Sequence, residues 1–458
     1  MHPYNNMLTT YNITIKYPKY SIAYPMPILE QAQSIIGTHP DLCNHCLGRF
    51  FGKIGEGIDN DVRGIALRFA IDKSMVQSEK ENDVIFITKL INIEDFNIYK
   101  ESGEESEIKC TLCNNLFNEL DHFVDLVLKK LDRFEFNHFL IGTKVDVDIR
   151  EMEEKLWSEF NLTQMEPIKT ELNREIGKRV QDLTGIPPNF DDPDIIAIVD
   201  TRYDSIELQI SSLYLYGRYR KFARGIPQTK WPCKVCWGKG CPRCKNTGKM
   251  YPTSVEEIIV KEILDTAREH QHKFHGMGRE DIDARMLGNG RPFVIEIVSP
   301  HKRKFDIKEL ENRINQHGQG IVEIEGLRYS SKEEVVAIKS ACHNKTYKVR
   351  VEFRTKVTKE KLKKVVSIFT NKQIHQRTPT RVVHRRADKV RDKEVVSINI
   401  EEIGAKENWA ILNITGENGI YIKELIHGDQ NRTQPNLSEL LETECSVKDL
   451  DVIQIHDK

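Results

Sequence analysis

The sequence predicts an α+β protein, with an N-terminal α/β accessory domain ahead of a larger domain built on a mixed sheet with flanking helices. Three observations carry this. In the C-terminal half, strand-like runs outnumber helical ones and do not alternate as a regular βαβ repeat. Up to Pro188, amphipathic helical stretches are mixed with only a few strands. Between the two halves, Asn189-Phe-Asp-Asp-Pro193 reads as a linker. The 458 residues allow two or three domains at about 150 residues each. The divisions are a mobile tail at 1–27, an accessory domain at 28–188, and a second domain at 189–458 with a cysteine insert at 233–244.

The elements follow from periodicity and punctuation. Asn115–Phe134 has Leu116, Leu120, Phe123, Val127 and Leu131 at helical spacing, while Val84–Leu90 and Phe139–Val145 read as strands. Ile168–Leu183 is an amphipathic helix stopped by Gly185-Ile-Pro187-Pro188. Ile195–Asp200 and Ile206–Ile210 are strand-like. Ser254 and Glu257 are spaced as a capping box, opening a helix with Val255, Ile258, Ile259, Ile263 and Ala267 on one face. Strands are expected around Phe293–Ile297, Tyr347–Val351, Val395–Ile400 and Trp409–Ile414, a helix at Lys359–Phe369, and a closing strand–helix unit from Ile420.

Composition narrows the class. With 39% apolar and 30% charged residues the chain is an ordinary globular one, and no apolar run approaches the roughly 20 residues of a membrane span. The first residues are rich in Tyr, Asn and Pro and lack the apolar core of a secretion signal, so a cytoplasmic location is expected. Net charge is −1, but nucleic-acid binding depends on where positive charge is concentrated. Arg377–Lys393 holds seven Lys/Arg against two Asp, with Arg377, Arg381, Arg385 and Arg386 among them. Gly217-Arg218-Tyr-Arg220-Lys-Phe-Ala-Arg224 interleaves cations with aromatics. One such run is usually a solvated face; two, with aromatics able to stack on bases, favour RNA.

Eight of the ten cysteines fall in Cys-x-x-Cys pairs. In an intracellular chain that pattern points to metal rather than disulfides. Cys43 and Cys46 with Cys110 and Cys113 form one four-sulfur set, and Cys233, Cys236, Cys241 and Cys244 a more compact second one. Four thiolates close a tetrahedral zinc site, so one or two structural zinc ions are expected and no catalytic cofactor. Pro232-Cys233-x-x-Cys236 matches half of a zinc deaminase signature, but no His-x-Glu precedes it, and four thiolates leave no position for a catalytic water.

Gly278-Arg279-Glu280-Asp281 is a weak signal by itself. Its surroundings strengthen it: Asp283, Arg285 and Arg291 crowd the same loop, punctuated by Gly288 and Gly290. Taken with Gly217–Thr229, Phe274–Phe293, Lys345-Thr-Tyr347, Gln376–Arg386 and Tyr421–Asp429, this order of motifs resembles the archaeal and eukaryotic tRNA pseudouridine synthases of the "Pus ten" family. The resemblance covers Asp194 to the C-terminus, and the paired cysteines extend it to the N-terminal domain.

The resemblance implies a pseudouridine synthase fold with a large, mainly antiparallel sheet, preceded by a THUMP-like RNA-binding module. It implies isomerisation of T-loop uridines at tRNA positions 54 and/or 55, with the tRNA T-arm as partner. No membrane and no obligate protein partner are called for. By the same matching Asp281 is the catalytic aspartate, Tyr347 the tyrosine that packs on the target base, and Lys423 the cation that pairs with the aspartate. Ile422 and Leu450 line the pocket. Arg279 holds the extruded nucleotide's phosphate or fills the space it leaves. Arg377, Arg381, Arg385, Arg386, Arg218 and Arg220 are the expected RNA contacts. One departure is Gln430-Asn431, where the family pattern has Phe-Gly. The rival reading is a zinc-stabilised RNA-binding protein without catalysis, which has no need of Asp281, Tyr347 and Lys423 together.

Overall fold

The computed structural model describes residues 27–55, 57–77, 81–102 and 109–457. Of the expected tail at 1–27, all but Pro27 lies outside the described residues. The chain forms two compact units. One runs from the first described residue to Val127 and takes in Ile141–Gly185 and Ile198–Glu207; the other comprises Leu128–Leu140, Ile186–Ala197 and everything from Leu208.

In chain order the first helices are α1 (Ile28–Thr38), α2 (Asn44–Arg49), α3 (Asn60–Asp72), α4 (Asp83–Ile91), α5 (Glu94–Ser102), α6 (Leu120–Leu131), α7 (Val147–Glu159) and α8 (Ile168–Thr184). A three-stranded sheet has the order β1 (Phe139–Lys144), β2 (Ile195–Asp200), β3 (Ser205–Ile210). Helix α8 ends as expected: Gly185 adopts φ 69° and its N–H closes on Gln181 O at 2.7 Å. Val84–Leu90 corrects the expectation of a strand. The Asn82 side chain caps Val84 N at 2.8 Å, and Phe86, Ile87 and Leu90 bury one helical face, so packing overrides the local β preference.

The remaining elements are β4 (Leu213–Lys221), α9 (Val255–Ala267), β5 (His272–Gly276), β6 (Arg285–Ile297), α10 (Ile307–His317), β7 (Val322–Ser330), α11 (Lys332–Ser340), β8 (Lys345–Phe353), α12 (Lys359–Ile368), β9 (Lys372–Arg377), β10 (Val390–Ile403), β11 (Trp409–Gly416), α13 (Ile422–His427), β12 (Thr433–Gln434), α14 (Leu437–Leu441) and β13 (Cys445–Ile455). Ser254 caps α9 by accepting from Glu257 N at 3.2 Å, and its hydroxyl donates to the Glu257 carboxylate at 3.0 Å. The unit expected from Ile420 begins with a helix rather than a strand. Ile422, Leu425 and Ile426 bury at helical spacing and Gly428 ends the turn with φ 79°.

The large sheet has the order β12-β9-β10-β11-β8-β13-β6-β4-β7, with β5 on β6. Among the described residues its strands pair antiparallel except β13 with β6, which run parallel over Asp451↔Arg285 and Val452↔Met286. That short parallel contact is the seam of the sheet. On one side Leu215, Tyr219, Phe293 and Ile295 pack under α9 and α10; on the other Val349, Val351, Leu412 and Ile414 pack with α12 to α14. Fully buried aliphatic and aromatic side chains such as these contribute about 1.5–3 kcal/mol each in transfer free energy. Gly288 sits on the seam with φ 58°, and a Cβ there would come 1.8 Å from Ile453 O, so only glycine lets β6 pass β13 this closely. Among the described residues no helix is long and apolar enough to cross a membrane.

Candidate active site

The loop 277–284 joins strands β5 and β6 at the seam. Asp281 sits on it with its side chain 30% exposed, open to a substrate yet held from two sides. Arg381 Nη1 donates to Asp281 Oδ1 at 3.1 Å, and Lys423 Nζ lies 3.4 Å from Oδ2. Each cation has a second carboxylate. Arg381 Nε donates to the buried Glu424 at 2.7 Å, and Lys423 donates to both oxygens of Asp283 at 2.9 and 2.7 Å. Two cations, each braced by a further carboxylate, therefore fix the orientation of Asp281 without enclosing it.

Tyr347 lies on β8 between Ile414 and Val452 of its neighbours and packs against the cores on both sides of the seam. Burial pushes its phenol up to about 12, with Arg291 opposing and the Asp281 carboxylate adding to the shift. The hydroxyl thus stays protonated through neutral pH. Ile422 and Leu450 are buried in the core beside it, and Leu450 O accepts from Arg224 at 2.9 Å. Arg279 is exposed, its guanidinium carbon 5.9 Å from the Trp231 ring.

A buried polar network under this loop was not anticipated from the sequence. Glu280 accepts from Arg291 Nε at 2.9 Å and from the Tyr219 hydroxyl at 2.8 Å, with Lys221 Nζ 3.7 Å away. Lys221 also donates to the carbonyls of Ile226, Asp281 and Ile282 at 3.1–3.3 Å. Gln228 bridges Tyr219 and Gly278 O. Burial lowers the Lys221 ammonium below its usual range, with Glu280 opposing. For Arg291 burial works in the same direction but is outweighed, chiefly by Glu280, and the guanidinium stays charged.

This network corrects the reading of Gly217–Arg224 as an RNA-facing run. On β4 alternate residues point inward, so Tyr219 and Lys221 are fully buried. Their neighbours have internal partners: Arg218 binds Asp457 at 2.7 Å and the Gly290 carbonyl, and Arg220 binds Glu323 and Glu325. In the other basic run, Arg381 turns inward to Asp281, while Arg377 pairs with Asp388 and Arg386 donates to the Tyr421 hydroxyl. The Arg385 side chain lies outside the described residues. The base of this loop is tied down by Asp429, which accepts from Thr380 N at 2.8 Å. Asp429 belongs to a run of left-handed residues, Gly428 to Asn431, across the departure at Gln430-Asn431.

Both cysteine sets converge. In each, the four sulfurs lie within 4.8 Å of one another and could hold a metal ion. Measured pairs are 3.6 Å for Cys43–Cys113, and 3.9, 3.8 and 3.7 Å for Cys233–Cys241, Cys236–Cys244 and Cys241–Cys244. A tetrahedral ion with metal–sulfur bonds of about 2.3 Å sets sulfurs roughly 3.8 Å apart, so the sets fit zinc and not a disulfide. Backbone N–H groups of Gly240, Cys241 and Gly248 point at sulfurs of the second set at 3.2 Å, as a thiolate cluster requires. Beside the first set, the buried Arg49 lies 3.5 Å from Cys46 Sγ and pairs with Glu153.

Comparison with known proteins agrees with this architecture. The family model described as Pus10, C-terminal, matches residues 214–456, and that of the archaeal Pus10 THUMP domain matches residues 123–200. The chain belongs to the Pus10 family. Relatives named tRNA pseudouridine synthase Pus10 include that of Methanothrix thermoacetophila, 39% identical over 93% of this chain and 94% of its own. That of Methanopyrus kandleri is 40% identical over 91% and 96%, and that of Pyrococcus furiosus 39% over 94% and 98%. Among solved structures, a chain of a Cbf5-Nop10-Gar1 complex overlays with a TM-score of 0.28 at 16% identity, covering 44% of this chain and 45% of that one. The α+β class and the THUMP module expected from the sequence both hold, with α7, β1 and β2 inside the THUMP match.

Proposed function

We propose that this protein isomerises uridine to pseudouridine in the T-arm of tRNA, at position 54, 55 or both, with the Asp281 carboxylate acting at the sugar. The observation that carries the reading is the Asp281 carboxylate, partly exposed and held by Arg381 and Lys423 beside Tyr347. The reaction breaks N1–C1′, turns the base, joins C5 to C1′ and transfers the C5 proton, in net, to N1, with no net redox change. An ionised carboxylate can attack C1′ or take a sugar proton on a glycal route, and the two cations hold it in place for either.

Tyr347 stacks on the flipped base, with its hydroxyl available as a proton carrier, and Ile422 and Leu450 form the apolar wall behind it. Arg279 receives the phosphate of the extruded nucleotide or fills its place in the helix. Arg377 and Arg386 belong to the loop that meets the RNA backbone. The reading is tested by incubating the full-length protein with unmodified tRNA transcript and mapping pseudouridine. Product at 54 or 55 is expected; a protein that binds tRNA and leaves every uridine unchanged is a binder and sinks the proposal.

Structural zinc in both cysteine sets accompanies this reading. Protein purified without added metal is expected to carry two equivalents of zinc, and one equivalent or none would refute the two-site assignment. Because thiolate sites contribute their binding energy to folding, exhaustive chelation is expected to lower the unfolding midpoint.

A further inference from the structure

We infer that the tip of the second cysteine knuckle is an RNA-contacting platform, on which Trp237 stacks an unpaired base of the tRNA substrate. The indole is 81% exposed and takes φ 52°, the left-handed region that a bulky residue adopts at a cost. The turn imposes that conformation: Trp237 N donates to Cys233 O at 2.9 Å, Lys239 N to Cys236 O at 3.0 Å, and Gly238 and Gly240 follow with φ 96° and 94°. Glycine or asparagine would suit the position better, and the exposed ring gains no packing in return. A strained, exposed aromatic on a rigid turn points to a contact made with something else.

Charge identifies the partner. Residues 230–250 contain Lys230, Lys234, Lys239, Arg243, Lys245 and Lys249 and no Asp or Glu. Lys234, Lys239, Arg243 and Lys245 are exposed, and among the described residues none has a carboxylate within 4 Å. An aromatic ringed by cations suits single-stranded nucleic acid, the ring taking a base and the lysines its phosphates. Position supports the same partner. The knuckle rises from the rim of the Asp281 loop: Gln228, just before it, donates to Gly278 O at 2.9 Å, and Trp231 at its base lies under Arg279. Its stem is closed by Cys233 N donating to Gly248 O at 2.7 Å, so the tip is carried as a rigid extension of that rim.

The inference rests on the tRNA reading above, and affinity and product are measured separately to keep the two apart. Binding of unmodified tRNA transcript is compared for the full-length protein, Trp237→Phe, Trp237→Leu and Trp237→Ala at one fixed salt concentration, with zinc content measured for each. Trp237→Ala and Trp237→Leu are expected to weaken Kd roughly tenfold, equivalent to about 1.4 kcal/mol, while Trp237→Phe keeps affinity within about threefold because a ring remains. All four proteins retain two zinc equivalents. Equal affinity of Trp237→Ala and wild type overturns the inference. So does a lost zinc equivalent, since the indole would then serve the knuckle. A wild-type protein that forms no pseudouridine sinks the functional reading instead.

Discussion

Asp281→Asn is expected to abolish pseudouridine formation, by at least roughly 10⁴-fold, while leaving a folded protein that still binds tRNA. The two halves of this expectation come from different contacts. Asparagine keeps the shape of the side chain but carries no charge, so it can neither attack C1′ nor take a sugar proton. Stability is spared because neither cation loses its last partner: Arg381 keeps Glu424 at 2.7 Å and Lys423 keeps Asp283 at 2.7 Å. With one negative charge removed from the surface proposed to meet tRNA, affinity should be unchanged or somewhat tighter. Asp283→Asn is the control. Its side chain is 65% exposed and its removal leaves Asp281 paired with both cations, so a loss of no more than about tenfold is expected. Single-turnover rates with excess protein provide the comparison. An Asp281→Asn protein within a hundredfold of wild type would remove the aspartate from the chemistry.

Most legible in the sequence were patterns confined to one continuous stretch. The cysteine pairs announce their ligand geometry through a two-residue spacing, and the α9 cap is visible in Ser254 and Glu257. Asp281, Tyr347 and Lys423 stood out only through the family resemblance, since the Gly278–Asp281 stretch is weak by itself and the other two look like ordinary surface or strand residues. Partnerships between distant stretches were much harder to see. Arg381 looks like any other cation of a basic run. What turns it inward is Glu424, a carboxylate set among Ile422, Leu425 and Ile426 on a buried helix, and that misplaced acid was the available signal. Tyr219 and Lys221 were misread for a related reason. Charge composition ignores the two-residue period of a strand, on which both share the inward face of Leu215 and Gly217. In α4, the β-branched run hid a helix that the Asn82 cap would have disclosed.

Glu280→Gln is expected to destabilise the protein by about 3–5 kcal/mol, the range for breaking a buried ion pair from one side. Glu280 is shared by Arg291, Lys221 and the Tyr219 hydroxyl, and all four side chains are buried. Glutamine fits the same space and still accepts hydrogen bonds, so packing is held nearly constant and the loss reports charge. Two cations then remain in apolar surroundings without their counter-ion. The consequence reaches the chemistry through Lys221, whose ammonium binds the carbonyls of Asp281 and Ile282; once repelled by Arg291, it no longer anchors the loop that presents the carboxylate. Activity should therefore fall even where the variant remains folded. The companion variant is Glu280→Gln combined with Lys221→Met, which removes one of the stranded cations and fills its volume with an apolar chain. If charge is the cause, the double variant recovers part of the lost stability, giving a coupling of about 1–3 kcal/mol in a double-mutant cycle, but not the activity, because the loop carbonyls have lost their donor. Denaturant unfolding at neutral pH decides the matter. A Glu280→Gln protein within about 0.5 kcal/mol of wild type would mean that solvent or loop rearrangement already relieves these cations, and that the buried network does not hold the loop.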